Sequence, residues 1–332
     1  METSFLLLII VLALVLIAEF INGWTDAPNA IATVVSTGTL PVHYAVPGAV
    51  ILNALGAATG TAVAATIGTG IVAKGSLTPA TLGAAMVAII VWGSLAANRG
   101  WPVSKSHALL AGIAGAGIAG GGFEALLWEG WIKVLKGLGA SLLVGFGVAF
   151  VLGTLLLEVM VRLPPRPTKQ VVDCAHIASA GTMAFAHGMN DGQKFIGIFA
   201  LVIAMHTGGK FEIHWWTIAI CSITMGAGTA FGGWRIINTV GKKMGTIKSW
   251  QGLVATTTAS SVIIAASNFG IPLSTTHTIT TSIAGANASQ HMMNVKWHVL
   301  GNVVKAWVFT FPCCATIAYV AAFAVINIPK FF

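Results

Sequence analysis

Asn98-Arg-Gly-Trp-Pro-Val-Ser-Lys-Ser-His107 and Asn268-Phe-Gly-Ile-Pro-Leu-Ser-Thr-Thr-His277 are one ten-residue pattern written twice, 170 positions apart. Asn, Gly, Pro, Ser and His coincide, and Ile-Ala-Gly-Ala follows in both, at Ile113–Ala116 and Ile283–Ala286. A second pair, Phe20-Ile-Asn-Gly-Trp-Thr-Asp26 and Phe185-Ala-His-Gly-Met-Asn-Asp191, recurs at an offset of 165 with Phe, Gly and Asp in register. Polar and helix-breaking residues that return twice, in the same order, mark a duplicated chain. The sequence therefore divides into two homologous halves, 1–165 and 166–332.

The setting of these repeats is apolar. Of 332 residues, 56% are hydrophobic and 8% charged, and the mean hydropathy is +0.87. Soluble domains carry about 25% charged residues, so a water-facing surface cannot be built here, and disorder, which needs a polar chain, is excluded too. The composition specifies an all-α polytopic membrane protein. Its net charge of +8 comes from 17 Lys+Arg against 9 Asp+Glu with no dense basic run, which fits membrane topology and gives no reason to invoke nucleic acid. Cys174, Cys221, Cys313 and Cys314 lack metal-binding or disulfide spacing. The apolar run from Phe5 to Ile21 has no preceding Lys or Arg and no small-residue cleavage site after it, so it is expected to stay and span.

Each half reads as five membrane segments, near 3–40 (interrupted), 45–66, 79–98, 104–122 and 138–160, then 173–206 (interrupted), 214–232, 250–268, 274–290 and 299–327. About ten segments fit the roughly 20 residues needed per crossing. An odd number per half inverts one half relative to the other. The basic residues agree: the loop after the second segment carries Lys74 in the first half, but Arg235, Lys242, Lys243 and Lys248 in the second. The linker with Arg162, Arg166 and Lys169 around Pro164, Pro165 and Pro167 reads as cytoplasmic, with both termini outside. The short, Gly-rich fourth segments are candidates for re-entrant hairpins. Inverted repeats with broken helices are the architecture of secondary transporters; a channel would carry a repeated filter or charged ring.

Asp26 and Asp191 occupy equivalent positions inside interrupted apolar segments, where a carboxylate is costly and marks an ion or proton path. The bland alternative is a helix cap. Thr25, Asp26 and Asn29 around Pro28 offer hard oxygen ligands, suited to Na⁺ or a proton relay. Ser104, Ser106, Ser274, Thr275 and Thr276 stand beside Pro102 and Pro272 at the starts of Gly/Ala-rich segments. Hydroxyls and free N–H groups at such helix starts favour a small oxyanion, and the alternative again is capping alone. His107 and His277 end both motifs and read as interior residues or substrate contacts. Glu19 and Glu158 read as structural. The Gly/Ala runs permit close helix packing and a homodimer.

These residues resemble a known family. Ala186-His187-Gly188-Met189-Asn190-Asp191-Gly192-Gln193-Lys194, with Gly197 behind it, resembles the second signature of the inorganic phosphate transporter (PiT) family. Gly23-Trp24-Thr25-Asp26-Ala27-Pro28-Asn29-Ala30 resembles its first, G-x-N-D-x-x-N-A, and the Pro-x-Ser-x-x-His pair resembles its hairpin motifs. The resemblance covers nearly the whole chain. It implies a phosphate symporter of the plasma (inner) membrane, coupled to Na⁺ or H⁺, with inverted repeats and elevator-like or rocking exchange, and with no other cofactor. By the same resemblance, Asp26, Asn29, Asn190 and Asp191 would serve the coupling cation, Na⁺ included. Ser104, Ser106, Gln193, Ser274, Thr275 and Thr276 would surround phosphate, with Lys194 a further candidate from the signature.

Two positions depart from the family pattern. Thr25 replaces Asn, and Lys105 stands where a small hydroxyl residue is common. Lys105 reads in two ways: its ammonium snorkels to the cytoplasmic interface beside Arg99, or it supplies a fixed positive charge near the substrate in place of a mobile cation. Sulfate or another tetrahedral oxyanion is the competing substrate, and an anion channel the competing mechanism. A buried carboxylate acceptor would favour phosphate, which carries a proton near neutral pH, over sulfate. An enzyme is not expected, because the scattered Cys and His form no nucleophile–base pair or metal cluster by spacing.

Overall fold

The computed structural model describes residues 5–73 and 75–327; Lys74, used above for topology, lies outside them. Among the described residues the only β element is an isolated bridge between Val72 and Leu126, and helices account for the rest of the regular structure. The first segment is α1 (Phe5–Asp26) and α2 (Pro28–Ser36). They part at Ala27 because Pro28, lacking an N–H, starts a helix more readily than it continues one. Next come α3 (Val42–Ala57) and α4 (Ala62–Thr69), which meet at a bend of 68°. The expected single segment 45–66 is therefore a broken one. α5 (Pro79–Arg99) starts at a Thr78–Thr81 capping box, and α6 (Lys105–Gly121) and α7 (Trp128–Met160) complete the first half.

The second half opens with α8 (Pro165–His187), a π-helical turn Gly188–Gly192 and α9 (Gln193–Thr207). The widened turn is the interruption here, doing for Asp191 what Pro28 does for Asp26. α10 (Trp215–Phe231) leads into α11 (Trp234–Asn238) and a second π turn, Thr239–Lys243. This basic stretch folds back on α2, with Ile236, Ile237 and Val240 buried, and the Arg235 guanidinium donates to the Asn98 carbonyl. α12 (Ser249–Asn268), α13 (Thr275–Gln290) and α14 (Trp297–Asn327) follow.

All ten expected segments are helical, but not all meet the requirements of a crossing. Among the described residues four helices are long and apolar enough to span a membrane, or five if the bent α3–α4 pair counts as one. Two of the others, α6 and α13, are shorter and more polar, and they lie inside the protein. α6 has 17 residues and α13 has 16, and every residue from Lys105 to Gly117 and from Thr275 to Ala288 is buried. α6 packs on α14 and α13 on α7, so each short helix lies against the long helix of the other half. A Cβ at Gly115 would collide with the backbone of Ala315, and one at Gly285 with that of Phe146. Glycine is what lets these backbones touch. The outer faces of α7 and α14 carry Leu143, Val151, Leu155, Val308, Phe309 and Val320, all exposed, an apolar surface of the kind that faces lipid.

Candidate functional site

The two helix breaks bring the two aspartates together. Asp26 ends α1 and Asp191 lies in the first π turn; both are buried. A carboxylate oxygen of each, with a ring nitrogen of His187, lie within 4.8 Å of one another. Asp26 Oδ2 accepts from the Lys105 backbone N–H at 3.4 Å and from Thr276 Oγ1 at 3.1 Å. Its Oδ1 accepts from Lys105 Nζ at 3.4 Å, and Thr25 Oγ1, which donates to the Ile21 carbonyl at 2.7 Å, stands 3.3 Å away. Lys105 is the first residue of α6, so Asp26 is the negative charge at that helix N-terminus.

Asp191 is held in a parallel way at α13. Its Oδ2 accepts from Thr275 Oγ1 at 2.7 Å and lies 3.3 Å from His187 Nε2. Its Oδ1 accepts from Lys194 Nζ. The same ammonium donates to Ser106 Oγ at 2.5 Å and to the Leu273 carbonyl at 2.8 Å, so all three of its N–H bonds end on oxygen. Two buried carboxylates and two buried ammonium groups thus share one cluster. Each charge has an opposite partner, as burial requires.

Around this cluster the hydroxyls and amides have distinct tasks. Ser104 and Ser274 cap α6 and α13, accepting from the N–H of His107 and His277 at 3.2 Å in both cases. The cap uses a lone pair, and each hydroxyl keeps a proton to donate. Asn29 Nδ2 donates to Thr276 Oγ1 at 3.4 Å. Asn190 turns to α12 instead, donating to Ser267 Oγ at 2.8 Å and to the Ile271 carbonyl at 3.4 Å. The amide oxygens of Asn29 and Asn190 are buried and accept no hydrogen bond from the described protein.

A model of the phosphate transporter family matches residues 22–318 of the chain. The chain belongs to this family. A Rhizobium meliloti (strain 1021) protein described as a probable low-affinity inorganic phosphate transporter is 38% identical over 324 residues, spanning 97% of both chains. A Bacillus subtilis (strain 168) protein of the same description is 37% identical over 328 residues, 97% of this chain and 98% of its own. Among solved structures, one titled the sodium-dependent phosphate transporter superposes with a TM-score of 0.87 at 23% identity, covering 97% of this chain and 100% of that one. The fold is shared with it.

In this phosphate transporter family member, the residues singled out from sequence take different places, with Ser104 and Ser274 at the helix caps and Asn190 on the α12 side. Asp26, Asp191, Thr25, Lys105, Lys194, Ser106, Thr275 and Thr276 meet in the cluster, with Asn29 joined through Thr276. Gln193 does not. Its Oε1 accepts from the Val63 N–H at 3.1 Å and its Nε2 donates to the Thr59 carbonyl at 2.6 Å, bridging the α3–α4 break. His107 and His277 stack edge-on at 4.3 Å, against Phe311 and Trp307, and both rings are buried. The snorkelling reading of Lys105 is overturned, because its side chain is 2% exposed and points inward to Asp26. His187 was missed as an individual contact. Its Nδ1 is 2.7 Å from Asn53 Oδ1, and its i, i+4 spacing to Asp191 was the available signal.

Proposed function

We propose that this protein takes up inorganic phosphate across the plasma membrane by symport with a cation, Na⁺ or H⁺, through alternating access between inverted repeats 1–165 and 166–332. The observation that carries this reading is where the carboxylates lie. Asp26 and Asp191 occupy the donors that an oxyanion would need: Thr275, Thr276, the Lys105 N–H and the lysine ammonium groups. Anion and carboxylates therefore compete. A cation that binds the carboxylates releases these donors to phosphate, and by linkage phosphate then strengthens cation binding to the same degree. Ser104, Ser274, Thr275 and Thr276 are the hydroxyl donors in this scheme, Ser106 joins them only by giving up its bond to the Leu273 carbonyl at 2.8 Å, and Asn29 and Asn190 offer oxygens to the cation. Gln193 is left out, since both ends of its amide serve backbone groups.

The named relatives in Rhizobium meliloti and Bacillus subtilis support phosphate as the substrate, and the sodium-dependent structural neighbour supports cation coupling. A carboxylate acceptor beside the anion favours phosphate over sulfate, because phosphate can donate a proton to it. The test is uptake of radiolabelled phosphate by proteoliposomes under imposed Na⁺ or H⁺ gradients, with sulfate as competitor. Accumulation driven by one gradient and resistant to sulfate is expected. Equilibration alone, indifferent to both gradients, would make the protein a channel.

A further inference from the structure

The two carboxylate sites differ in an instructive way. Repeat offsets pair Lys105 with Thr275, Ser106 with Thr276 and Asn29 with Lys194. At Asp26 the residue that opens the hairpin helix is the lysine, and the residue three positions beyond the aspartate is Asn29. At Asp191 the assignment is exchanged. Thr275 opens the helix, and Lys194 stands three beyond the aspartate. Each carboxylate has one lysine, taken from non-equivalent positions. One positive charge per carboxylate is what the two sites have in common. The geometry at Lys194 adds a second argument. Its ammonium sits among a carboxylate oxygen, a hydroxyl and a backbone carbonyl, the hard oxygen set that an alkali cation takes.

We infer that Lys105 and Lys194 are resident cations that occupy the places mobile sodium would take, so that phosphate binds without sodium, drawing directly on the Lys105 ammonium while Lys194 neutralises Asp191. This rests on the phosphate reading above and decides the coupling ion against Na⁺. Lys194 spends all three N–H bonds on protein oxygens, whereas Lys105 Nζ makes one, at 3.4 Å. Lys105 is therefore the ammonium free to reach the anion, and Lys194 the one that holds its site closed.

The experiment measures equilibrium binding of labelled phosphate to the purified protein, and proteoliposome uptake, in choline and in sodium buffers. Wild type is expected to bind and transport equally in both. Lys105→Thr, which copies the second site's hydroxyl, and Lys194→Asn, which copies the first site's amide, should each bind phosphate about tenfold more weakly in choline, equivalent to about 1.4 kcal/mol. Sodium should recover part of that loss. Lys105→Arg, which keeps the charge, should bind without sodium and covers the case in which Lys105→Thr does not fold. Wild type that needs sodium to bind phosphate overturns the inference, as do lysine variants with wild-type affinity in choline or with losses that sodium leaves untouched. Failure to bind phosphate in either buffer would instead remove the substrate reading on which the inference rests.

Discussion

Asp191→Asn isolates the electrostatics of the cluster. The asparagine is nearly isosteric, and its oxygen can still accept the Thr275 hydroxyl that Asp191 holds at 2.7 Å. What it cannot do is balance Lys194, whose side chain is 2% exposed and whose remaining acceptors are a hydroxyl and a carbonyl. Removing one partner of a buried ion pair costs about 3–5 kcal/mol, chiefly because the other charge stays buried without compensation. Most of that should appear as lost stability in thermal unfolding of the detergent-purified protein, and concentrative phosphate uptake should be abolished. Adding Lys194→Gln removes the stranded charge, so the double variant should regain most of the stability while remaining inactive. The cycle separates folding from transport. An Asp191→Asn protein that unfolds with wild type, or a double variant no more stable than the single, would refute the reasoning.

Ser104→Gly and Ser274→Gly should leave helix capping within a few tenths of a kcal/mol, as glycine caps nearly as well as serine. If the hydroxyls also donate to the anion, phosphate affinity falls about tenfold, the value of a hydrogen bond to a charged group; unchanged half-saturation in uptake assays would leave them as caps. Gln193→Ala strips the Val63 N–H and the Thr59 carbonyl of their partner, at about 1–3 kcal/mol for each group left unsatisfied. Its signature is lower thermal stability without a change in Na⁺ or H⁺ dependence. Gly93→Ala should displace the Lys105 stem, because a Cβ there would stand 3.0 Å from Lys105 Cε and 2.8 Å from Ile21 Cγ2. Raised half-saturation for phosphate in a stable protein is the expected result, and unaltered kinetics would place the lysine outside the anion's reach.

The repeated motifs made much of the site legible. Asp26, Asp191 and the hairpin hydroxyls could be found because chance does not place the same breaker residues twice in apolar sequence, and the structure brings them within contact. The lysine pairing was hidden, since alignment of the halves sets Lys105 against a threonine and Lys194 against an asparagine. Only three dimensions reveal that each reaches a carboxylate. The bridging bonds of Gln193 could not be foreseen, because only the left-handed Gly60 between Thr59 and Thr61 marks the break after Ala57 and it does not say which side chain meets the freed backbone groups. Hydropathy cannot distinguish lipid from protein as the apolar surroundings of a segment, so of ten apolar segments only four or five helices among the described residues have the length and composition of a crossing. α13, with Thr275, Thr276, Thr278, Thr280, Thr281 and Ser282 all buried, is tolerable only beside other helices.

The crossing of α6 onto α14 and α13 onto α7 has a consequence for how the chain is made. Synthesis delivers α6 with its buried Ser106, His107 and Lys105 early, while α14, which covers it, leaves the ribosome only after α7 to α13. α13 has no such wait, because α7 is already in place when it emerges. Until Trp297–Asn327 arrives, one side of the first hairpin lacks its shield, and polar side chains in hydrocarbon are held at a cost of kcal/mol each. Biogenesis is therefore lopsided. A ribosome stalled short of α14 leaves the first hairpin dependent on an insertase or on neighbouring helices, and α14 acts as the closing stave for a helix made long before it.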